Sequence, residues 1–141
     1  MAKTIAEQSS DLRMATLRLA RRLRGEKADS ELSDGQFSVL AALYVHGPHT
    51  LGALADRERI SAPSMNRTVN CLEESGYLTR KTDTADRRKV NIALTGSGTA
   101  VVSETVKKRD AWLTRRMREL SADERTVLSS ATEILRRLAT Q

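Results

Sequence analysis

"ISAPSMNRTVNCLEESGYLTRKTDTADRRKVNIALT", residues 60–95, places a well-capped helix directly before two short β-like runs. Ser61 is an N-cap by residue type, and Pro63 falls in the first turn, where a missing N–H costs nothing. Met65, Val69 and Leu72 recur at i, i+4 and i+7, so this side faces a core. At 3.6 residues per turn the opposite side then carries Pro63, Arg67 and Asn70, with Ser64 and Asn66 on the flanks. Gly76 ends the helix. Beyond it, YLTRK and KVNIAL read as strands, since Val90, Ile92 and Leu94 alternate with Asn91 and Ala93. The turn-rich TDTADRR joins them into a hairpin, whose tip runs from Asp83 to Lys89 and holds two adjacent arginines.

A solvated turn needs no arginine pair, so the flanking elements must explain it. The helix presents a small, polar and cationic outer face, with no acid before Glu73. Such a face suits a DNA major groove, where Arg bridges the two acceptors of guanine, Asn pairs with adenine and Ser takes phosphate or base. A hairpin that begins just past Gly76 projects beside that helix. Its arginines then reach the adjacent minor groove, whose narrow form attracts Arg. Asp86 is expected to pair with a neighbouring arginine and hold the tip in one shape.

The remainder of the chain supports the same organisation. Thr4 to Gly25 reads as one helix with Leu12, Ala15, Leu19 and Leu23 on a stripe. In LSDGQF, Ser33 and Gln36 form a capping box, and Leu32 and Phe37 take the staple positions. That helix stops at Gly47-Pro48, and Thr50 caps the short helix LGALADRE. The pair around residue 60 therefore has the form of a helix-turn-helix. Thr95 caps a long helix carrying Val102, Val106, Leu113, Met117 and Leu120. The last helix opens on the box of Ser121 and Glu124 and continues with Leu128, Ala131, Leu135 and Leu138. The expected fold is mainly α with a small β-hairpin wing. Its DNA-binding lobe spans 33–95, with dimerisation helices from residues 1–32 and 96–141. Terminal stripes that one subunit cannot cover point to a homodimer.

Composition narrows the function classes. Among 141 residues, 24 Lys and Arg against 18 Asp and Glu give +6, a balance that favours polyanionic partners. Aromatics make up 3%, too few for a base-stacking platform. No apolar run approaches the roughly 20 residues of a membrane span. MAKTIAEQSSDL lacks a signal-like apolar stretch, and the single Cys71 suits a reducing compartment, so a cytoplasmic protein is expected. Cys71 is expected to be an ordinary packed or half-exposed thiol. His46 and His49 bracket Gly47-Pro48 without the further ligands of a closed metal site, so neither metal nor cofactor is expected. The arginine clusters RLARRLR and LTRRMR read as solvated helix faces. No phosphate loop or nucleophile elbow appears, so an enzyme is not expected. A winged helix used only for protein–protein contact or dimerisation is the competing reading. It leaves Arg67, Arg87, Arg88 and Lys89 unexplained.

The stretches ISAPSMNRTVNCLEESGYLTR, DTADRRKVNIALTGSG and LSADERTVL…ILRRL resemble the MarR family of winged-helix transcription regulators, over nearly the whole chain. The resemblance implies recognition-helix roles for Ser61, Pro63, Ser64, Asn66, Arg67 and Asn70. It implies wing contacts for Thr84, Asp86, Arg87, Arg88 and Lys89, with Arg88 inserted in the minor groove. A common family form of the wing is Asp-x-Arg-Asp-x-Arg, and here Ala85 replaces the first Arg. The resemblance further implies a two-fold dimer on a pseudo-palindromic operator, more often as a repressor. Release would follow entry of a small phenolic or lipophilic effector between the dimerisation helices and the lobe. Met14, Leu43, Tyr44 and Trp112 are candidate lining residues for that pocket.

Overall fold

The computed structural model describes residues 1–141. Six helices and three short strands follow in the order α1 (Ile5–Arg24), α2 (Asp34–His46), β1 (His49–Thr50), α3 (Leu51–Glu58), α4 (Ala62–Glu74), β2 (Leu78–Thr82), β3 (Val90–Leu94), α5 (Gly96–Arg118) and α6 (Ala122–Thr140). Each helix start is fixed by a side chain that accepts from an orphan backbone N–H. Ser33, Thr50, Ser61, Thr95 and Ser121 all act this way. Complete capping boxes stand at Ser33–Gln36 and Ser121–Glu124 as the sequence predicts, and a third stands at Thr4–Glu7.

The three strands form one antiparallel sheet in the order β1-β3-β2. The hairpin pairs Leu78 with Leu94, Arg80 with Ile92 and Thr82 with Val90. The third strand is absent from the sequence reading. His49 and Thr50 pair with Ile92 and Asn91, which ties the start of α3 to the wing. Val90 also differs from the strand pattern: it lies exposed at the outer end of the hairpin, while Ile92 is buried. The apolar face therefore ends where the sheet leaves the core.

The core gathers Leu32, Phe37, Val39, Leu40, Leu43, Leu54, Ala55, Met65, Val69, Leu72, Leu78, Ile92, Val101 and Val102. Met65, Val69 and Leu72 are completely buried, which seats α4 on its apolar side. Each such side chain stabilises the seat by roughly 1.5–3 kcal/mol. Arg59 closes α3 in the left-handed conformation at φ 55, the single non-glycine residue at positive φ. It thereby turns the chain into α4.

The segment between α1 and α2 is stapled to α5 and to Tyr77. Ala28 N donates to the buried Thr105 Oγ1 at 3.1 Å, and Arg109 Nε donates to Glu26 O at 3.2 Å. The Arg109 guanidinium lies 4.5 Å from the centre of the Phe37 ring, and its burial lowers its pKa. Tyr77 donates its hydroxyl to Asp29 Oδ2 at 2.6 Å. That bond raises the Tyr77 pKa to about 12 and lowers that of Asp29. No helix is long and apolar enough to cross a membrane.

Candidate nucleic-acid interface

α4 is amphipathic, and with Met65, Val69 and Leu72 buried its opposite face is fixed. Pro63, Asn66, Arg67 and Asn70 are exposed, Ser64 is half-buried, and Ser61 is exposed at the cap. The Ser61 hydroxyl accepts from Ser64 N at 3.2 Å. Arg67 Nη2 donates to Ser64 Oγ at 3.0 Å, its one intramolecular hydrogen bond. A neutral hydroxyl leaves the charge uncompensated and most of the five donors free. Asn70 makes no side-chain hydrogen bond within the chain.

The wing tip is held by two aspartates. Asp83 Oδ1 accepts from Ala85 N at 2.8 Å and from Asp86 N at 3.0 Å, while its Oδ2 accepts from Asn91 Nδ2 at 2.8 Å. Asp86 accepts from Arg88, from its backbone N at 3.0 Å and from Nε at 3.1 Å. The pairing of Asp86 with a neighbouring arginine is thus present, and the neighbour is Arg88. The Arg88 side chain nevertheless keeps 91% of its surface in solvent. Thr84, Arg87 and Lys89 are exposed, and none makes a side-chain hydrogen bond or ion pair within the chain.

These bonds depress both carboxyl pKa values. Asp83 is lowered first by Asn91 and then by the two backbone amides, and Asp86 by Arg88. A depressed folded-state pKa means that the stabilisation is complete above the ordinary Asp value, near 4, and is lost as pH falls through the lower folded value. The Asn91 side-chain amide resonance should therefore stay shifted on acidification to about pH 4 and collapse below it. Asp83→Asn should abolish the shift at neutral pH; a wing spectrum unchanged by that variant would exclude Asp83 as its organiser.

Not every candidate residue joins this surface. Leu43 is buried in the lobe's core. Met14 and Tyr44 are a little under half exposed. Trp112 lies half-buried, with Arg22 at 5.9 Å and Arg116 at 5.0 Å from its ring. None of the four lines the apolar cleft between α1 and α6, which is bounded by Leu12, Leu17, Leu135 and Leu138. Cys71 is exposed, with Gln36 Nε2 at 3.4 Å from its sulfur. Both ring nitrogens of His49 are engaged: Nδ1 lies 2.7 Å from Gly47 O, and Nε2 accepts from Arg57 Nε at 3.0 Å.

The sequence reading missed Arg80, which stands on β2. Its Nη1 donates to Glu73 Oε1 at 2.8 Å and its Nη2 donates to Asn66 Oδ1 at 3.0 Å, so it ties the root of the wing to the flank of α4. Only the position of Arg80 in a strand next to the helix hinted at this contact.

Known proteins share this arrangement. Residues 32–90 match the model of the MarR family. An HTH-type transcriptional regulator of Mycobacterium leprae is 36% identical over 135 residues, 96% of this chain and 94% of that protein. The HTH-type transcriptional repressor MdtR of Bacillus subtilis is 26% identical over 86% of this chain and 81% of its own length. The solved structure of a MarR family protein from Bacillus stearothermophilus superposes with a TM-score of 0.84. It covers 99% of this chain and 100% of that one at 24% identity, a likeness of fold. The helix-turn-helix, its antiparallel wing and the flanking terminal helices thus have a shared origin, and the chain belongs to the MarR family of HTH-type transcriptional regulators.

Proposed function

We propose that the chain is a repressor that binds a pseudo-palindromic operator as a homodimer and lets go when a small aromatic or lipophilic effector binds. One observation carries the reading: Arg67 on α4 and Arg87, Arg88 and Lys89 on the wing are all exposed on one lobe. Arg80 joins the two elements that bear them. α4 enters the major groove with Ser61, Pro63, Ser64, Asn66, Arg67 and Asn70. The wing, with Thr84, Asp86, Arg87, Arg88 and Lys89, follows the backbone into the minor groove.

A second copy of the chain is supported by the terminal helices. Leu12, Leu17 and Leu19 on α1 and Leu128, Ile134, Leu135 and Leu138 on α6 are all at least 41% exposed. The α1–α6 cleft, about 530 Å³ and mostly apolar, is open to receive a partner helix. Residues 1–32 and 96–141 then serve dimerisation, and 33–95 serve DNA. Two lobes related by a two-fold axis read half-sites about 34–36 Å apart. Repression follows the relative MdtR, itself a transcriptional repressor. The effector is proposed to contact Met14, Leu43, Tyr44 and Trp112, of which Met14 and Tyr44 are exposed, Trp112 is half-buried and Leu43 is buried.

Selection of bound duplexes from a random pool tests the reading, with a parallel arm containing a panel of aromatic acids. An inverted repeat is expected, lost in the presence of at least one acid. Failure to enrich any duplex would favour the interaction-module reading, and a repeat indifferent to every acid would remove that effector class. Arg88→Ala is expected to weaken binding to all duplexes alike and to lower the slope of log affinity against log salt by about one per half-site. A sequence-selective loss would instead make Arg88 a base reader.

A further inference from the structure

We infer that Arg80 is a positioning residue that fixes Asn66 as a hydrogen-bond donor toward DNA, so that the base facing Asn66 is not cytosine. The inference rests on the DNA-binding reading above. Arg80 forks across α4, with Nη1 on Glu73 Oε1 at 2.8 Å and Nη2 on Asn66 Oδ1 at 3.0 Å. A guanidinium carries donors and no acceptor. The Asn66 atom that meets it must be the carbonyl oxygen, whichever way an amide is otherwise placed. A flipped amide would set two donors against each other and forfeit a charge-assisted bond.

Asn66 is exposed, and its Nδ2 has no partner in the chain. What it offers outward is therefore an N–H. In the major groove guanine presents N7 and O6, adenine N7 and thymine O4, all acceptors, whereas cytosine presents only its N4 amine. Donor against donor is unfavourable. A free asparagine would escape by turning its oxygen outward, and Arg80 removes that escape. Glu73 balances the Arg80 charge, so the fork adds no net charge to the flank of α4.

Duplex selection with four proteins tests this. The parent chain should show one position per half-site depleted of cytosine at least about fivefold, the low end of the discrimination of a directed base contact. Asn66→Ala should flatten that position alone and so identify it. Arg80→Met combined with Glu73→Gln, which leaves net charge unchanged, should let cytosine return there and keep the preference read by Arg67. Asn66→Asp retains a partner for Arg80 while turning an acceptor outward, so cytosine should become enriched at the same position. Cytosine depletion that persists in the double variant would overturn the inference, as would an Asn66→Ala profile identical to the parent's. Collapse of every position together in the double variant, with lowered thermal stability, would also overturn it by making Arg80 a structural brace. In each of these cases the parent's inverted repeat leaves the DNA-binding reading standing. A parent chain that enriches no duplex overturns both.

Discussion

Arg67→Ala is expected to weaken binding to the selected operator by about 1–3 kcal/mol per half-site, and by roughly twice that for a dimer holding both halves. It should also flatten the preference at one base pair in each half. Arg67 lies on the solvent side of a helix whose other side is completely buried through Met65, Val69 and Leu72, so its direction is set by the core. The Ser64 hydroxyl at 3.0 Å orients the guanidinium without neutralising it. Alanine keeps the helix and removes no buried surface, so thermal stability should move by less than about 0.5 kcal/mol. Titration of a labelled operator and of a scrambled duplex, beside a melting curve, separates the two effects. Unchanged operator affinity would exclude Arg67 as a reader. Equal losses on both duplexes would make it a phosphate contact.

Elements whose signal is local are legible in the sequence. The face of α4 follows from three apolar residues at 3/4 spacing, and the starts of α2 and α6 from residues three apart. The strand at His49–Thr50 is not local: two residues carry no alternation, and the element exists only by pairing with Ile92 and Asn91 some forty residues on. The fork of Arg80 escapes for the same reason. In α2 the difficulty is another one. Val39 to Val45 is unbroken apolar sequence, so periodicity cannot separate Leu43, in the core, from Tyr44 beside it, nearly half exposed. The wing shows both limits. Its arginines announce themselves by being superfluous to a turn, whereas the work of Asp83 depends on Asn91 across the hairpin.

Gly98→Ala is expected to be the most damaging single-methyl change in the chain, although alanine is the better helix former. A Cβ at Gly98 would stand 2.0 Å from the backbone oxygen of Tyr77 and 3.0 Å from Leu94 Cδ2. The obstacle is backbone, which cannot rotate aside. The Tyr77 oxygen also accepts from Thr95 N at 3.1 Å, while Thr95 donates its hydroxyl to Gly76 O at 2.6 Å and accepts from Gly98 N at 3.1 Å. Moving α5 away to make room therefore loosens the knot that joins the end of α4, the root of the wing and the start of α5. Overpacking costs about 1–3 kcal/mol, and two or three weakened hydrogen bonds add about 0.5–1.5 kcal/mol each. Helix propensity returns roughly 1 kcal/mol, leaving a net loss of about 1–6 kcal/mol out of the 5–15 typical of a domain. Gly96→Ala, two residues earlier in the same first turn, is the matched control, since nothing lies within 4 Å of its added Cβ. It should be neutral or stabilising by up to about 1 kcal/mol. Urea unfolding of both variants at one protein concentration decides the matter, because the stability of a self-associating chain would vary with concentration. If the two alanines melt alike, α5 is not seated on the Tyr77 carbonyl; if only Gly98→Ala falls, DNA affinity should fall with it, since the same knot sets the wing beside α4.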